Sequence, residues 1–343
     1  MTSRGRLPGL GPGSVLPGLA LVAALAVVAR GATVVLPGVI SEITVGVVAG
    51  LLVRNALHPP PVYEAGTRLA ATRLLRLGIV LLGARLSFEA VISTGVSALV
   101  IIVACVGAAL LLTMLLARLL GLPTRLATLI AVGTAICGNS AIVATAPVIG
   151  ARDRDVSFAI GTITLFGVAA VLVYPIAGAA LGLSDAVFGH WAGVAVNDTS
   201  QVTAAGFSYS DPAGSIATIV KLTRNTLLGP LVIAVGLLYA RAAGPRDVPN
   251  QGALRRPMQF VPPFVIGFLL MAVLNSLGWI PASVADAFGE TSKVLILLAL
   301  VAVGLGTDLR SIRQVGMKPM YVGFTVALAV SIFGLVLSLL LVG

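Results

Sequence analysis

Three groups of polar residues interrupt otherwise apolar stretches of this chain, and their types suit the binding of a small anion. The first is Ile136-Cys137-Gly138-Asn139-Ser140-Ala141, the second Asn197-Asp198-Thr199-Ser200-Gln201, and the third Lys221, Arg224 and Asn225. The spacing of the third group, i, i+3 and i+4, puts all three on one helix face. An ammonium supplies a point charge, and a guanidinium can grip two oxygens at once. Asp198 is the sole acidic residue at similar depth, so two cations face one carboxylate and leave a surplus of about one positive charge. The first two groups also read as helix breaks. Glycine loosens the hydrogen-bond ladder, and Asn, Asp, Ser and Thr cap new helix starts. The second half of a broken helix offers free backbone N–H groups, a ready anion site. Asn139, Ser140, Thr199, Ser200, Gln201, Lys221, Arg224 and Asn225 are therefore the candidate substrate ligands. Asn197 and Asp198 are candidates for a coupling sodium or proton. Plainer readings exist for the same residues: hydrogen bonding between helices for Gly-Asn-Ser, and a structural ion pair for Asp198 with Lys221 or Arg224.

The elements that must carry these residues are membrane helices. Of 343 residues, 58% are hydrophobic and 10% charged, and the mean hydropathy is +1.08. Soluble domains carry about 25% charged residues. Apolar stretches such as 98–117 do not alternate as barrel strands would. They are long enough to cross a hydrocarbon core of about 30 Å. The chain is read as a single all-α polytopic membrane domain over 1–343. Its approximate spans are 15–30, 35–53, 69–86, 96–117, 126–149, 156–182, 186–206, 214–240, 260–277, 291–309 and 319–342. The first is read as a span rather than a signal peptide, because no small-residue cleavage site follows it. Asn139 then lies about 20 Å and Asp198 about 18 Å into their spans. Asp211-Pro212 reads as an N-cap with proline at the first helical position. That cap puts Lys221 about 14 Å and Arg224 about 18 Å inside, so all three groups fall near mid-membrane.

A net charge of +10 would suggest nucleic acid in a soluble protein, but here the basic residues sit between apolar spans and no nucleic-acid partner is expected. Eleven spans with the N-terminus cytoplasmic put fifteen Lys and Arg inside, against Arg30, Arg85, Arg152, Arg154 and Lys293 outside. That bias obeys the positive-inside rule. If 126–149 and 186–206 were re-entrant hairpins, nine spans would remain and Arg152 and Arg154 would move inside; the sequence does not separate the two. LLGARLSFEAVISTG (81–95) aligns with GLGTDLRSIRQVGMK (304–318). With eleven spans the two copies face opposite ways, so segments 69–118 and 291–342 read as inverted repeats, a hallmark of secondary transporters. Cys105, Cys137, His58 and His190 show no metal-ligand spacing, no resident cofactor is expected, and no catalytic constellation supports an enzyme.

LLRLGIVLLGARLSF (74–88), AICGNSAIVATAPVI (135–149), NDTSQVTAAG (197–206), KLTRNTLLGPL (221–231) and GLGTDL (304–309) resemble the bacterial YeiH-type membrane proteins, described as sulfate exporters. The resemblance covers nearly all of 15–342. It implies a wider relationship to the bile acid:sodium symporter and sodium/proton antiporter fold. There, two discontinuous helices cross at mid-membrane between inverted repeats, here near 126–149 and 186–206. No residue roles come with the resemblance. The expectation is a secondary transporter, an exporter, of a small oxoanion such as sulfate, sulfite or a sulfonate, in the bacterial inner membrane. Lys221 and Arg224 would grip the substrate, and Asp198 would pair with them when the site is empty. The alternative is a sodium/proton antiporter that uses Asp198. An intramembrane enzyme or a sensor is a third class, without supporting residues. The lipid bilayer is the one partner implied outright, and Gly/Ala-rich faces would suit a homodimer.

Overall fold

A computed structural model describes residues 12–35, 42–243, 263–308 and 317–343. All regular structure among these residues is helical. Among the described residues six helical stretches are long and apolar enough to cross a membrane: Val15–Ala32, Phe88–Leu119, Asp153–Ala180, Asp211–Tyr239, Ala282–Gly306 and Met317–Leu341. The chain divides into two units.

One unit holds the residues up to Ile79 together with Glu290–Asp308. In it α1 (Pro12–Val35) packs on α2 (Glu42–Leu52) and α3 (Glu64–Leu69). Close helix approach there rests on small residues: Gly18 of α1 lies directly on Gly66 of α3, the packing that lets two backbones meet in lipid. Asn55 donates to the carbonyls of Leu51 at 2.8 Å and Thr307 at 3.0 Å.

The other unit holds Val80–Gly289 and Leu309–Gly343, and all ten candidate site residues belong to it. Its helices include α5 (Phe88–Leu119), α6 (Thr124–Ala135), α7 (Asn139–Ile149), α8 (Asp153–Ala180), α9 (Asp185–Ala195), α10 (Thr199–Tyr209), α11 (Asp211–Asn225) and α12 (Leu228–Ala243). It also holds α13 (Pro263–Ser276) and α15 (Met317–Leu341), while α4 (Leu75–Leu82) and α14 (Ala282–Gly306) each have residues in both units. Trp191 ties α9 to α15 by donating to the Ser331 carbonyl at 3.0 Å.

The helices break where the sequence placed the breaks, but each then folds back. A Cβ on Gly133 of α6 would sit 3.0 Å from the side chain of Ile142 on α7. Nine residues of straight helix would separate them by about 13 Å. At the second break, Ser210 donates to Asp185 at 2.5 Å, the Tyr209 hydroxyl donates to the Leu183 carbonyl, and the Phe188 and Tyr209 rings stack 4.0 Å apart. A straight helix would hold 185 and 210 about 37 Å apart. Thus α6–α7 and α9–α10 are two helical hairpins. This corrects the expectation of two broken helices running on and crossing, and fits the nine-span alternative.

The hairpins lie along α8 from opposite ends. The loop from Ile149 joins α7 to the start of α8, while Gly178 near its other end receives the Phe188 and Tyr209 rings. Both tips reach its middle, where Asn139 donates to Thr164 Oγ1 at 3.3 Å and Gln201 donates to the Thr164 carbonyl at 3.4 Å. The starts of α6 and α8 and the end of α12 share one end of the unit, where Thr128 and Tyr239 hydrogen-bond at 2.7 Å. Arg118, Arg125, Arg152, Arg154 and Arg241 all cluster at that end. Arg152 and Arg154 thus share an end with Arg118 and Arg125, from which the eleven-span reading would separate them. The second copy of the sequence repeat runs into residues 309–316, outside the described residues, as do 36–41 and 260–262 of two expected spans.

Candidate functional site

The site is the meeting point of the two tips, held together by α11. The N-cap of α11 is Ser210, whose hydroxyl accepts from the Ala213 N–H at 3.1 Å. Asp211 and Pro212 therefore occupy the first two helical positions, and the helix begins one residue earlier than the sequence suggested. Nearly three turns on, Lys221 and Arg224 are both 0% exposed.

Their burial is explained by what they touch. A helix end leaves its last carbonyls without partners, and α6 and α9 both end inside the unit. The Lys221 ammonium donates to the carbonyls of Ile136 at 2.7 Å, Val196 at 3.0 Å and Asn197. Arg224 donates through Nε to Ala135 at 2.7 Å, through one terminal nitrogen to Val194 at 2.6 Å and Val196 at 3.3 Å, and through the other to Thr134. Two side chains thus satisfy carbonyls on both tips. They also place positive charge where each helix end carries about half a negative charge. All three ammonium protons are used, as are four of the five guanidinium N–H groups. The Lys221 and Arg224 side chains are thus engaged with backbone carbonyls of the two tips, a set of partners that the sequence did not predict. Asp198 forms no ion pair with either cation among the described residues. Its Oδ1 instead accepts from the Ser200 N–H at 2.9 Å and the Ser200 hydroxyl at 2.6 Å, capping α10.

The second halves of the hairpins present the opposite polarity. The N-cap of α7 is Gly138, at φ +64° and ψ −123°, a conformation suited to glycine alone, and it brings no capping side chain. A Cβ there would lie 3.5 Å from the Asn197 carbonyl, so the tips touch. Ser140 is exposed, while Asn139, Asp198 and Thr199 are half-buried. Asn225 ties α11 to the second tip by donating to Thr199 Oγ1 at 3.3 Å. Asn197, Gln201 and Asn225 are 3%, 3% and 5% exposed, and their amide oxygens have no hydrogen-bond partner among the described residues. The ten predicted residues are thus gathered around one junction, Ser140 being the most exposed of them.

Sequence reasoning missed Thr164, which bridges Asn139 and Gln201. Threonines in a helix usually turn back on their own carbonyls, as Thr162 does to Phe158 at 2.8 Å. Nothing in its type distinguished Thr164. A cavity of about 360 Å³ in the other unit, lined by Arg54, Glu64 and Arg68 among others, contains none of the predicted residues.

Two opposed helical hairpins in an apolar all-helical chain define a polytopic membrane protein with its polar residues gathered at the tips. The model of the family described as Conserved hypothetical protein 698 matches residues 17–323. The UPF0324 membrane protein of Clostridium tetani is 34% identical over 302 residues, 85% of this chain and 87% of its own. Relatives described in the same words from Brucella melitensis and Agrobacterium fabrum are 37% identical over 314 residues and 36% over 332. The first match spans 88% of this chain and 84% of the relative, the second 94% and 93%. The chain belongs to this UPF0324, YeiH-type family of membrane proteins. No solved structure matches it.

Proposed function

We propose that the protein is a secondary transporter that exports a small oxoanion, such as sulfate, sulfite or a sulfonate, by alternating access. The observation that carries this reading is the bare start of α7. Its N-cap is a glycine, its Ser140 is exposed, and it meets the start of α10 beside two buried cations. Helix starts and helix ends converge there and offset one another, so Lys221 and Arg224 against Asp198 leave a surplus of about one positive charge. The backbone N–H groups of α7, with Asn139, Ser140 and Thr199, are the ligands in this reading. Lys221 and Arg224 supply the field from behind. The protein lies in the inner membrane as nine spans and two re-entrant hairpins, with the cluster of Arg118, Arg125, Arg152, Arg154 and Arg241 cytoplasmic.

Ser140→Asp tests the site. An acidic residue in a first helical turn suits the fold, yet here it puts a carboxylate where the substrate would sit. Oxoanion flux into proteoliposomes should fall by about tenfold or more with the melting temperature unchanged. Undiminished flux would overturn the assignment.

A sodium/proton antiporter is the second reading. It is favoured by the unpartnered amide oxygens of Asn197, Gln201 and Asn225 beside Asp198, since oxygen ligands suit a hard cation. It requires sodium-driven pH change in vesicles that Asp198→Asn abolishes.

A further inference from the structure

We propose a binding site for an anionic phospholipid on the flank of the first hairpin, with one acyl chain in a slot and the phosphate held by three arginines. The slot is a cavity of about 390 Å³ between α5, α6 and α12, within the range of pockets that hold small ligands. Leu110 and Met114 of α5, Val132 of α6, and Leu231 and Val235 of α12 line it. The Thr128 and Tyr239 hydroxyls at its edge bond to each other at 2.7 Å, so both have a partner already. Leu238 at its rim is 62% exposed, which opens the slot to the side where lipid tails lie.

The charge at one end of the slot singles out the occupant. Arg118 follows Met114 by four residues, Arg241 follows Leu238 by three, and Arg125 precedes Thr128 by three. Each arginine thus shares the helix stripe of a residue that lines the slot, one turn nearer the basic end. All three are exposed, and none forms an ion pair among the described residues. On the described parts of these helices Glu89 is the sole acidic residue, at the far end of α5. An apolar slot ended by three unpaired cations fits a lipid that carries both an alkyl chain and a phosphate. Basic pockets between membrane helices recognise anionic headgroups in this way. The proposal is independent of what the protein transports.

Purified protein in a neutral detergent would be titrated with phosphatidylglycerol, phosphatidylcholine or glycerol 3-phosphate, and binding read by native mass spectrometry and thermal shift. Phosphatidylglycerol should bind about tenfold more tightly than phosphatidylcholine, and free glycerol 3-phosphate should give no shift. The triple variant Arg118→Gln/Arg125→Gln/Arg241→Gln, exposed at every position, should lose the preference. Ala234→Phe, which fills the slot, should weaken both lipids. Equal binding of the two lipids by the unaltered protein overturns the proposal. So does a preference that survives in the triple variant, or a shift from glycerol 3-phosphate alone. Should Ala234→Phe not fold, Val235→Ala enlarges the slot instead, and unchanged lipid binding there counts against it.

Discussion

At the scale of single residues, the two buried cations stabilise the tips through geometry as much as through charge. Arg224 reaches four carbonyls on two hairpins because the guanidinium is a planar fork with five donors. Lysine is no substitute at such a position. Arg224→Lys should lower stability by about 3 kcal/mol or more, the cost of breaking a buried charged network. Ser140→Ala, at an exposed position with no side-chain hydrogen bond among the described residues, should leave it unchanged. Thermal unfolding in detergent reads both. The sequence made the depth and shared face of Lys221, Arg224 and Asn225 legible, because polar types stand out in an apolar stretch. It did not reveal what the cations bond to. Every residue has a carbonyl, and only the fold decides which carbonyls end a helix without a partner.

At the scale of elements, break positions could be read and directions could not. Gly138-Asn139-Ser140 and Asn197-Asp198-Thr199-Ser200 interrupt the helical ladder in any arrangement. A chain that continues and one that returns share the same composition. The return depends on local fits: Gly133 leaves room for Ile142, and Phe188 stacks on Tyr209. Cysteines placed at 185 and 210 should therefore be joined readily by a short bis-maleimide. A continuous helix would keep them about 37 Å apart, so absence of cross-linking in Asp185→Cys/Ser210→Cys would refute the second hairpin. The native Cys105 and Cys137 are both buried and should react little.

At the scale of the whole molecule, the proposed nine-span reading, with both hairpins re-entrant, differs from eleven crossings in the side on which loops lie. Membrane-impermeant labels should reach Pro123→Cys and Arg152→Cys from the same face, and Leu181→Cys from the other. Eleven crossings would put positions 123 and 152 on opposite faces. The charge bias in the sequence favoured inner placement of most arginines either way, which is why it could not choose between the two counts. The close packing of α6 against α7 and of α9 against α10 favours the lower count.

The bonds from α11 have a mechanical consequence. Lys221 and Arg224 each clasp both tips, so scissoring the hairpins apart would strand a lysine and an arginine in a dry interior, at a cost of several kcal/mol per ion. In the proposed alternating-access reading, a motion that presents the junction first to one compartment and then to the other would carry both hairpins and α11 together.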